Sequence, residues 1–488
     1  MEAVSVPTAE AASRESPRHR LAAFVAGLRA ERVFLALAIP FGLLLLALTP
    51  PFQVPDEPAH FLRAYAISEG QLFAEPLPPE AGGGSGNILP VSLRLSATRL
   101  TGNIPFHPEV RADPSTIIEE LARPLEPDNR APTAFTGASV YFPIVYAPQA
   151  LGMWLARALG GSPLWILYGG RLLNLVVALA LTAWAIRVAP VHRWSMALVA
   201  LTPLVVFTRS SVSADGLTTA LAFLLVALVL REALVKEGAI TWGPLALIAL
   251  LGALLGLCKL TYFLMSAAVL LIPASRFGSR GRAAYLLRSA VVIAASAAPA
   301  FLWGRHVSGL YRPDTQPAPN PPEQLAWVLA HPARSLRIWL EAPFDKAQWY
   351  LETGLGRLGW QDTPLPLPVI TTLALLLVAV AVLDSGSDAA RARPLSALQR
   401  LLAALVAVTV TYAVVATLYI AWNPVGAATV EGVQGRYFLP LLPLFLVVLH
   451  RSAAPSALLA RARSAILGFA ALLSLGATSV AIGVRYFG

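Results

Sequence analysis

The stretch PPFQVPDEPAHFLRAY, residues 51–66, places acidic and basic side chains directly after an apolar run that carries no charge. Its prolines suit the first turn of a helix, and on that helix Asp56, His60 and Arg63 share one face. The carboxylate of Asp56, or of its neighbour Glu57, is suited to take a proton from an incoming hydroxyl. Acidic residues are equally common at helix starts, where they balance the helix dipole. Spacing alone leaves both interpretations open.

Two further segments set polar side chains against apolar runs. In FTRSSVSADG, residues 207–216, Arg209 and Asp215 flank three hydroxyl-bearing serines. This pattern indicates either a polar floor for a lipid headgroup or a loop that caps the next helix. In CKLTYF, Lys259 lies between two apolar runs and is followed by Tyr262. A lone cation there either extends its amine to the membrane surface or binds a lipid phosphate.

The segment VEGVQGRYFLP, residues 430–440, places Arg436 at the start of a late apolar run, with Gln434 and Tyr437 beside it. Arginine is suited to bidentate binding of a phosphate. The alternative is an Arg–Tyr pair that only anchors the chain at the membrane interface. Arg171 is a second candidate of the same kind.

Carboxylates lie among aromatic residues in another part of the chain, at Asp345, Trp360 and Asp362. Such a group suits sugar binding, because carboxylates accept hydrogen bonds from hydroxyls and ring faces stack on the sugar. Aromatic residues also collect at membrane interfaces without any such role.

These groups belong to a very apolar chain. Of its 488 residues, 56% are hydrophobic and 13% are charged, against about 25% charged in soluble proteins. Together with a mean hydropathy of +0.64, this composition predicts an all-α polytopic membrane protein. The single cysteine, Cys258, excludes an intrachain disulfide and is expected to be a small buried residue. The net charge of +10 is explained by the excess of Lys and Arg that membrane proteins carry in their cytoplasmic loops. No nucleic acid partner is therefore expected.

About eleven apolar stretches have a length near that needed to cross the bilayer as a helix. They are 33–50, 163–187, 194–210, 215–232, 241–258, 260–275, 289–304, 366–384, 401–421, 436–450 and 464–484. The run 139–159 is interrupted by prolines at its flanks and predicts a helix lying at the membrane interface. A twelfth span is the alternative.

Loop charges give the orientation. With the N-terminus in the cytoplasm, the inner segments carry 19 of the 37 Lys and Arg residues but 8 of the 27 Asp and Glu residues. This excess of positive charge inside favours eleven spans over twelve. The loops 51–162 and 305–365 then face outward, and every candidate residue named above falls on that side. EPLPPEAGGGSGN predicts a flexible part of the first loop, and the polar first 20 residues are expected to be disordered.

Several enzyme signatures are absent from the sequence. It contains no Walker A motif, no dinucleotide-binding glycine pattern and no HExxH. Energy coupling by ATP and zinc-dependent hydrolysis are therefore not expected.

The motifs PPFQVPDEPAHFLRAY, YFPIVYAPQALG, RLLN, SVSAD, LCKLTYF, LGWQDT and VQGRYFLP together resemble a bacterial membrane family catalogued as a domain of unknown function. That family is grouped with the GT-C glycosyltransferases, which use polyprenyl-phosphate sugars. The resemblance covers about residues 33–450. It implies a GT-C-like fold with juxtamembrane helices in a large first periplasmic loop.

The resemblance also implies roles for particular residues. Asp56, with Glu57 beside it, matches the presumed general base. Residues at the outer ends of the spans would hold the donor phosphate: Lys259, Arg436, Arg171 and Arg209. Asp215 matches an acidic residue that the family often carries after its third span. The residue patterns described above add Tyr262 to the phosphate-binding group, and they assign contacts with sugar or acceptor to His60, Arg63, Asp215, Asp345, Trp360, Asp362, Gln434 and Tyr437. Because SVSAD lacks the second carboxylate of a metal-binding DxE, no cofactor is expected and a divalent metal is not favoured.

The function implied is an inverting transfer of a sugar from a polyprenyl-phosphate donor to a glycan or lipid-linked acceptor. The transfer would occur at the outer face of the bacterial cytoplasmic membrane. The protein itself would be embedded in the lipid bilayer. The expected organisation is a basic cytoplasmic tail 1–32, a transmembrane module 33–304, the second outer loop 305–365 and C-terminal spans 366–488. A transporter or flippase of lipid-linked sugars, and a non-catalytic envelope-assembly partner, are the alternatives.

Overall fold

The computed structural model describes residues 28–81, 83–278, 281–310, 319–384, 392–450 and 457–488, and helices predominate among them. The expected disordered segment, residues 1–20, lies outside the described residues. The α-helices are α1 Ala30–Leu48, α2 Glu57–Ser68, α3 Val91–Thr101, α4 Pro114–Ala122, α5 Thr136–Ser139, α6 Ala147–Ala158, α7 Pro163–Val188, α8 Arg193–Ala200, α9 Pro203–Arg209, α10 Ala214–Leu234, α11 Trp242–Cys258, α12 Gly281–Val307, α13 Pro321–Ala330, α14 Pro332–Asp345, α15 Ala347–Leu355, α16 Leu367–Leu383, α17 Ala397–Trp422, α18 Leu442–Val448 and α19 Ala457–Phe487. The 3-10 helices are Pro79–Ala81, Pro143–Tyr146, Leu260–Leu271, Ala274–Phe277 and Gly435–Leu441.

Six helices in the described ranges are long and apolar enough to cross a membrane. They are Ala30–Leu48, Pro163–Val188, Ala214–Leu234, Gly281–Val307, Ala397–Trp422 and, within α19, Ala462–Phe487. Four shorter apolar helices accompany them: Trp242–Cys258, Leu260–Leu271, Leu367–Leu383 and Gly435–Val448. The prediction of a largely helical, multi-pass membrane protein is confirmed, and the number of eleven spans stays a prediction.

Three of the predicted spans are not continuous α-helices. The segment 194–210 is divided into α8 and α9, because Thr202 is extended and Pro203 has no N–H to donate. The segment 260–275 forms 3-10 helices, and 436–450 begins with a 3-10 turn before α18. Apolar composition indicates that these segments are helical, but it does not distinguish one kind of helix from another, and their role as spans stays a prediction.

The helix α10 lies at the centre of the protein. Its most apolar stretch is 83% buried, whereas those of α1 and α12 are 22% buried. A helix that is apolar on every side is expected where other helices surround it. Asp215 lies in the first turn of α10, and Cys258, at the end of the adjacent α11, is buried as expected.

The segment 51–162, predicted to be the first outer loop, is more ordered than its composition suggested. It contains an antiparallel sheet of β1 Glu75–Pro76, β2 Ser85–Pro90 and β3 Arg130–Ala134. The prediction of a flexible loop in EPLPPEAGGGSGN is wrong at both ends of that segment, which form β1 and the start of β2. Gly86 permits this pairing, because a Cβ there would collide with the carbonyl of Thr133 on β3.

The predicted interfacial run 139–159 forms a 3-10 turn followed by α6, whose 12 residues are too short for a span. This helix packs against α7. Gly152 allows the close approach, because a Cβ there would collide with the carbonyl of Gly169.

The segment 305–365, predicted to be the second outer loop, contacts the predicted first outer loop and the last helix. Its hairpin consists of β4 Arg357–Leu358 and β5 Thr363–Pro364. The indole N–H of Trp360 donates to the carbonyl of Phe52 (3.1 Å), and Arg485 of α19 lies 3.2 Å from the carboxylate of Asp362. These contacts join the three regions on one side of the protein.

Candidate functional site

Asp56 is the last residue before α2. Its backbone is left-handed, with φ 63° and ψ 4°, and its carbonyl accepts a hydrogen bond from His60 N in the first turn. Aspartate is one of the few residues besides glycine that visits this region. The side chain remains 60% exposed. The carboxylate is therefore fixed by a tight turn and accessible from outside the protein.

The guanidinium of Arg436 lies between two carboxylates from distant parts of the chain. Its Nη2 is 3.7 Å from Oδ2 of Asp56, and its Nη1 is 3.5 Å from Oδ2 of Asp215. Both distances exceed the roughly 2.7–2.9 Å of a charge-assisted hydrogen bond. Its Nε is buried without a hydrogen-bond partner among the described residues. Arg436 thus balances both carboxylates without a tight pair to either.

The backbone around Arg436 is shaped by a close packing contact. Gly435 opens the 3-10 helix, and its N–H donates to the hydroxyl of Thr353 on α15 (2.8 Å). A Cβ on Gly435 would collide with the carbonyl of Tyr350. Glycine at this position allows the start of the 3-10 helix to lie against α15, which places Arg436 beside Asp56 and Asp215.

A second cation lies close to this group. The amine of Lys259 is 3.0 Å from the ring centre of Tyr437 and 5.8 Å from that of Tyr262. The hydroxyl of Tyr262 donates to the carbonyl of Tyr437 (2.8 Å). Aromatic ring faces stabilise an ammonium group in a partly dehydrated place. The predicted residues Lys259, Tyr262, Arg436 and Tyr437 are therefore brought together.

His60 lies on the side of this group that faces the first outer loop. Its Nδ1 is 2.5 Å from the hydroxyl of Tyr146, and its ring packs edge-on against Tyr141. Burial lowers the pKa of His60 below its ordinary value of 6.5, although the nearby carboxylates of Asp56 and Asp215 act in the opposite direction. The imidazole is thus held neutral beside two carboxylates.

Sequence reasoning did not single out Tyr141 and Tyr146. Burial raises the pKa of both phenols above the ordinary value, so they stay neutral hydrogen-bonding groups. Both lie in YFPIVYAPQ, a motif that contributes to the family resemblance. Two tyrosines within one short apolar segment were the only signal, and buried tyrosines in a membrane protein give the same pattern.

Glu57 and Arg171 form a buried ion pair next to the site, not part of its surface. Both side chains are fully buried, and Arg171 donates to both carboxylate oxygens of Glu57 (2.6 and 2.9 Å). The same oxygens accept the backbone N–H groups of Phe52 and Val212. Arg171 also donates to three carbonyls, of Leu46, Thr49 and Pro50. This geometry corrects the predicted base role of Glu57 and phosphate role of Arg171, because neither has capacity left for a ligand.

Two buried amides hold the loop before Asp215. The side chain of Asn174 on α7 donates to the carbonyl of Ser211 (2.8 Å) and to that of Arg209. The side chain of Gln149 on α6 donates to the carbonyl of Ser213 (3.0 Å). Glu57 also binds the N–H of Val212 in the same loop. The Glu57–Arg171 pair and these two amides together fix the position of Asp215 in the first turn of α10.

Arg209 and Arg63 lie apart from the carboxylates, which corrects their predicted ligand roles. Arg209 is 1% exposed, and its guanidinium lies 5.5 Å from the ring of Phe34. Arg63 is fully buried and donates to the carbonyl of Leu72 (2.7 Å). Burial keeps both from reaching a ligand at the surface.

The predicted sugar-binding residues of the second outer loop do not join the group either. Trp360 and Asp362 are held in the contacts with Phe52 and Arg485 described above, and Asp362 is 6% exposed. Asp345 is exposed at the end of α14. Gln434 is half-buried and lies two residues before Arg436, so it is close in the chain to the group of Asp56, Asp215 and Arg436.

An apolar cavity of about 480 Å³ is lined by residues of α15, α16 and α18. Its lining includes Gly435, the residue before Arg436, and also Tyr350, Val199 and Leu449. Its lining is almost wholly aliphatic and aromatic. The link between this cavity and the charged group is Gly435, which lines the cavity and adjoins Arg436 in the chain.

No group of three or more His, Cys, Asp or Glu residues in the described part of the chain is arranged to hold a metal ion. In the space between Asp56 and Asp215, the positive charge is provided by Arg436. Independence from metal stays a prediction.

The helices and the sequence together define a multi-pass membrane protein. Residues 40–445 match the family described as "Predicted membrane protein (DUF2142)", and the chain belongs to that family. The match includes Asp56, Asp215, Lys259 and Arg436. No curated protein and no solved structure matches the chain. The predicted resemblance to a family of unknown function is confirmed, and the GT-C relationship stays a prediction.

Proposed function

We propose that this protein is a GT-C-type glycosyltransferase that moves a sugar from a polyprenyl phosphate to an acceptor of the cell envelope. One observation supports this most strongly. A group of two carboxylates and two cations, Asp56, Asp215, Arg436 and Lys259, lies together, and Gly435, the residue before Arg436, lines an apolar cavity of about 480 Å³. A polyprenyl-phosphate sugar has the matching form, an anion with a polar sugar at one end of a long apolar tail.

In this proposal the donor phosphate binds Arg436 and Lys259. Arg436 has a planar set of donors suited to two phosphate oxygens, and its present distances to the carboxylates leave it free to rotate toward a stronger partner. The amine of Lys259 would leave the face of Tyr437 for the phosphate. The tail would follow the cavity from Gly435 toward Leu449.

The transfer step needs a base on the side of the sugar opposite the phosphate. Asp56 accepts the proton of the acceptor hydroxyl while the oxygen attacks the anomeric carbon. The bond between that carbon and the phosphate oxygen breaks, and the electron pair leaves with the polyprenyl phosphate. Arg436 and Lys259 stabilise the new charge, so little acid catalysis is required. The configuration at the anomeric carbon is inverted.

Asp56 is the better base because it is the exposed carboxylate, whereas Glu57 is enclosed by Arg171 and two backbone N–H groups. Asp215 is 33% exposed and contacts Arg436 from the other side. We assign it to orienting Arg436 and a sugar hydroxyl. We also assign the neutral phenol of Tyr141 to donate a hydrogen bond to the same sugar.

The test is transfer by the purified protein, measured as release of polyprenyl phosphate from defined polyprenyl-phosphate sugars. We expect Asp56→Asn to lower turnover by about 100- to 10,000-fold and to leave donor binding intact. Asp128→Asn is the matched control, because Asp128 is an exposed carboxylate of the same outer loop. Near-normal turnover in Asp56→Asn would remove Asp56 from the mechanism.

Transport of a lipid-linked sugar is the second candidate, and one observation favours it. A buried polar cluster includes His450, the residue after Leu449, which lines the cavity. The carboxylate of Asp384 accepts from Ser195 (3.0 Å) and lies 3.4 Å from Arg463, while the rings of His192 and His450 are 5.2 Å apart. Two polar groups that adjoin lining residues of one apolar cavity in the chain, at Gly435 and at Leu449, are a feature expected of a flippase.

Vesicle assays separate the two candidates. A transporter would move a fluorescent polyprenyl-phosphate sugar between leaflets, and Asp384→Asn would slow this movement. A transferase would consume donor only when an acceptor is present, and Asp384→Asn would leave that reaction near normal. Donor movement without consumption would replace the transferase proposal by the transporter.

A further inference from the structure

A second cavity lies at the end of the protein opposite the candidate site. It has a volume of about 530 Å³ and is formed by the ends of α10 and the 3-10 helix Leu260–Leu271 with the starts of α12 and α17. The helix α10 and this 3-10 helix both begin at the candidate site. At rises of about 1.5 and 2.0 Å per residue, they place the cavity roughly 25–30 Å away. That distance is close to the thickness of the hydrocarbon core.

The walls of this cavity are apolar, but its lining includes two arginines. Leucines, alanines, prolines and one isoleucine make up most of the wall, and the remaining lining residues are Arg282, Arg393, Tyr285, Ser396 and Gln399. Both arginines are exposed. Arg393 lies 3.9 Å from the carboxylate of the exposed Glu237, which is too far for a hydrogen bond. The cavity thus combines an apolar interior with positive charge.

Hydrogen bonds between the surrounding elements hold the walls in place. The hydroxyl of Tyr285 donates to the carbonyl of Leu270 (2.8 Å), and the side chain of Gln399 donates to that of Leu271 (2.8 Å). The N–H of Arg393 donates to the carbonyl of Leu234 (2.8 Å). Three separate contacts therefore join the four elements around this space.

We propose that this cavity binds an anionic phospholipid of the leaflet opposite the candidate site. One acyl chain would occupy the apolar interior, and the phosphate would lie between Arg282 and Arg393. Basic pockets between transmembrane helices are suited to acidic lipid headgroups, at about 1 kcal/mol for each cation near the surface. A neutral phospholipid gains the apolar contact but only part of the attraction to the two arginines.

The site also has a structural consequence for the protein. The cavity joins elements that are far apart in the chain, because α10 ends at residue 234 and α17 begins at residue 397. A lipid seated between them would connect α17 to the central helix α10. Binding is therefore expected to raise the thermal stability of the protein.

The experiment is a titration of detergent-purified protein with fluorescently labelled phosphatidylglycerol, followed by anisotropy. Labelled phosphatidylcholine with the same acyl chains is the neutral comparison. We expect tighter binding of phosphatidylglycerol, and a loss of roughly 25-fold in affinity in Arg282→Gln/Arg393→Gln, or about fivefold for each arginine. Arg187→Gln is the matched control, because Arg187 is an exposed arginine at the same end of the protein that does not line the cavity.

A second variant tests the apolar part of the site without changing charge. Ala274 lines the cavity, and Ala274→Trp is expected to weaken the binding of both lipids. Inorganic phosphate should not compete, since it lacks the acyl chain. Equal affinity for the two lipids, or unchanged phosphatidylglycerol affinity in Arg282→Gln/Arg393→Gln, would overturn the proposal. Effective competition by inorganic phosphate would also overturn it.

Discussion

Asp56 and Glu57 are neighbours in the chain, yet their carboxylates have opposite environments. Glu57 is fully buried, accepts four hydrogen bonds and lies 2.6 Å from Arg171. Asp56 is 60% exposed and lies 3.7 Å from Arg436. Each acid has one arginine, but only the first pair has the geometry of a saturated ion pair.

The Glu57–Arg171 pair stabilises the structure, whereas the Asp56–Arg436 pair can exchange partners. Removing one member of a buried pair leaves an uncompensated charge and costs about 3–5 kcal/mol. A pair with a solvent-exposed member contributes about 0–1 kcal/mol, so a ligand phosphate can take the place of the Asp56 carboxylate beside Arg436 at little cost. The buried pair fixes the loops on which the exposed group depends, since Glu57 binds Val212 and Arg171 binds the carbonyls before Asp56.

The largest expected effect is on stability, from breaking the buried pair. Glu57→Gln should lower the free energy of unfolding by about 3–5 kcal/mol, because Arg171 would remain charged and buried. The thermal midpoint, followed by tryptophan fluorescence, measures this loss. Asp56→Asn is the control from the adjacent position and should stay within about 1 kcal/mol of the wild type.

The double variant Glu57→Gln/Arg171→Met sharpens this result. It removes both charges, so it should be more stable than Glu57→Gln alone. A double variant as unstable as the sum of its two single variants would mean that the two residues do not act as a pair.

The next effect concerns Arg436 and donor binding. Arg436→Lys keeps the charge but loses the planar set of donors, and we expect the KM for a polyprenyl-phosphate sugar to rise by about 10- to 100-fold. Arg94→Lys is the matched control, because Arg94 is an exposed arginine of the first outer loop. An unchanged KM would assign the phosphate to Lys259 alone.

The sequence did not distinguish the residues of the candidate site from those of the buried ion pair. Asp56, Asp215, Lys259 and Arg436 were predicted together because each follows or precedes an apolar run on the same side of the membrane. Glu57 and Arg171 satisfied the same criterion, and 114 residues separate them in the chain. Burial distinguishes the two groups, and burial depends on packing between helices that no local spacing reports.

The predicted spans also show that packing between helices cannot be read from local sequence. Their positions followed from hydropathy, because a bilayer imposes length and composition directly. The break at Thr202 and the 3-10 geometry of Leu260–Leu271 leave some backbone N–H and C=O groups without the partners that an α-helix provides. Whether such a break is tolerated depends on the packing of neighbouring helices, which hydropathy does not report. The sheet of the first outer loop was missed for a related reason, since its strands pair across many residues.

A smaller effect is expected from the backbone of Asp56. Its φ of 63° favours glycine over any residue with a Cβ. Asp56→Gly should therefore be about 1 kcal/mol more stable than Asp56→Ala, although both variants lose the base. Thermal midpoints of the two variants give the comparison, and equal values would show that the turn relaxes when the carboxylate is removed.

The smallest effect is a pH dependence that involves His60. Burial lowers its pKa in the folded protein, so the unfolded chain binds more protons and stability should fall as the pH drops through about 6.5. His60→Gln should make the thermal midpoint less sensitive to acid between about pH 7.5 and about pH 5.5. An equally steep decline in the variant would assign the dependence to other groups.

The 3-10 helix Leu260–Leu271 has a consequence for how this chain tolerates mutation. Three residues make one turn, so Tyr262, Met265, Ala268 and Leu271 stand in one line, and all four are buried. Saturation mutagenesis of this segment should therefore show sensitivity that repeats every three positions. An inserted residue would turn the remainder of the segment by about 120°, away from the neighbours it now packs against.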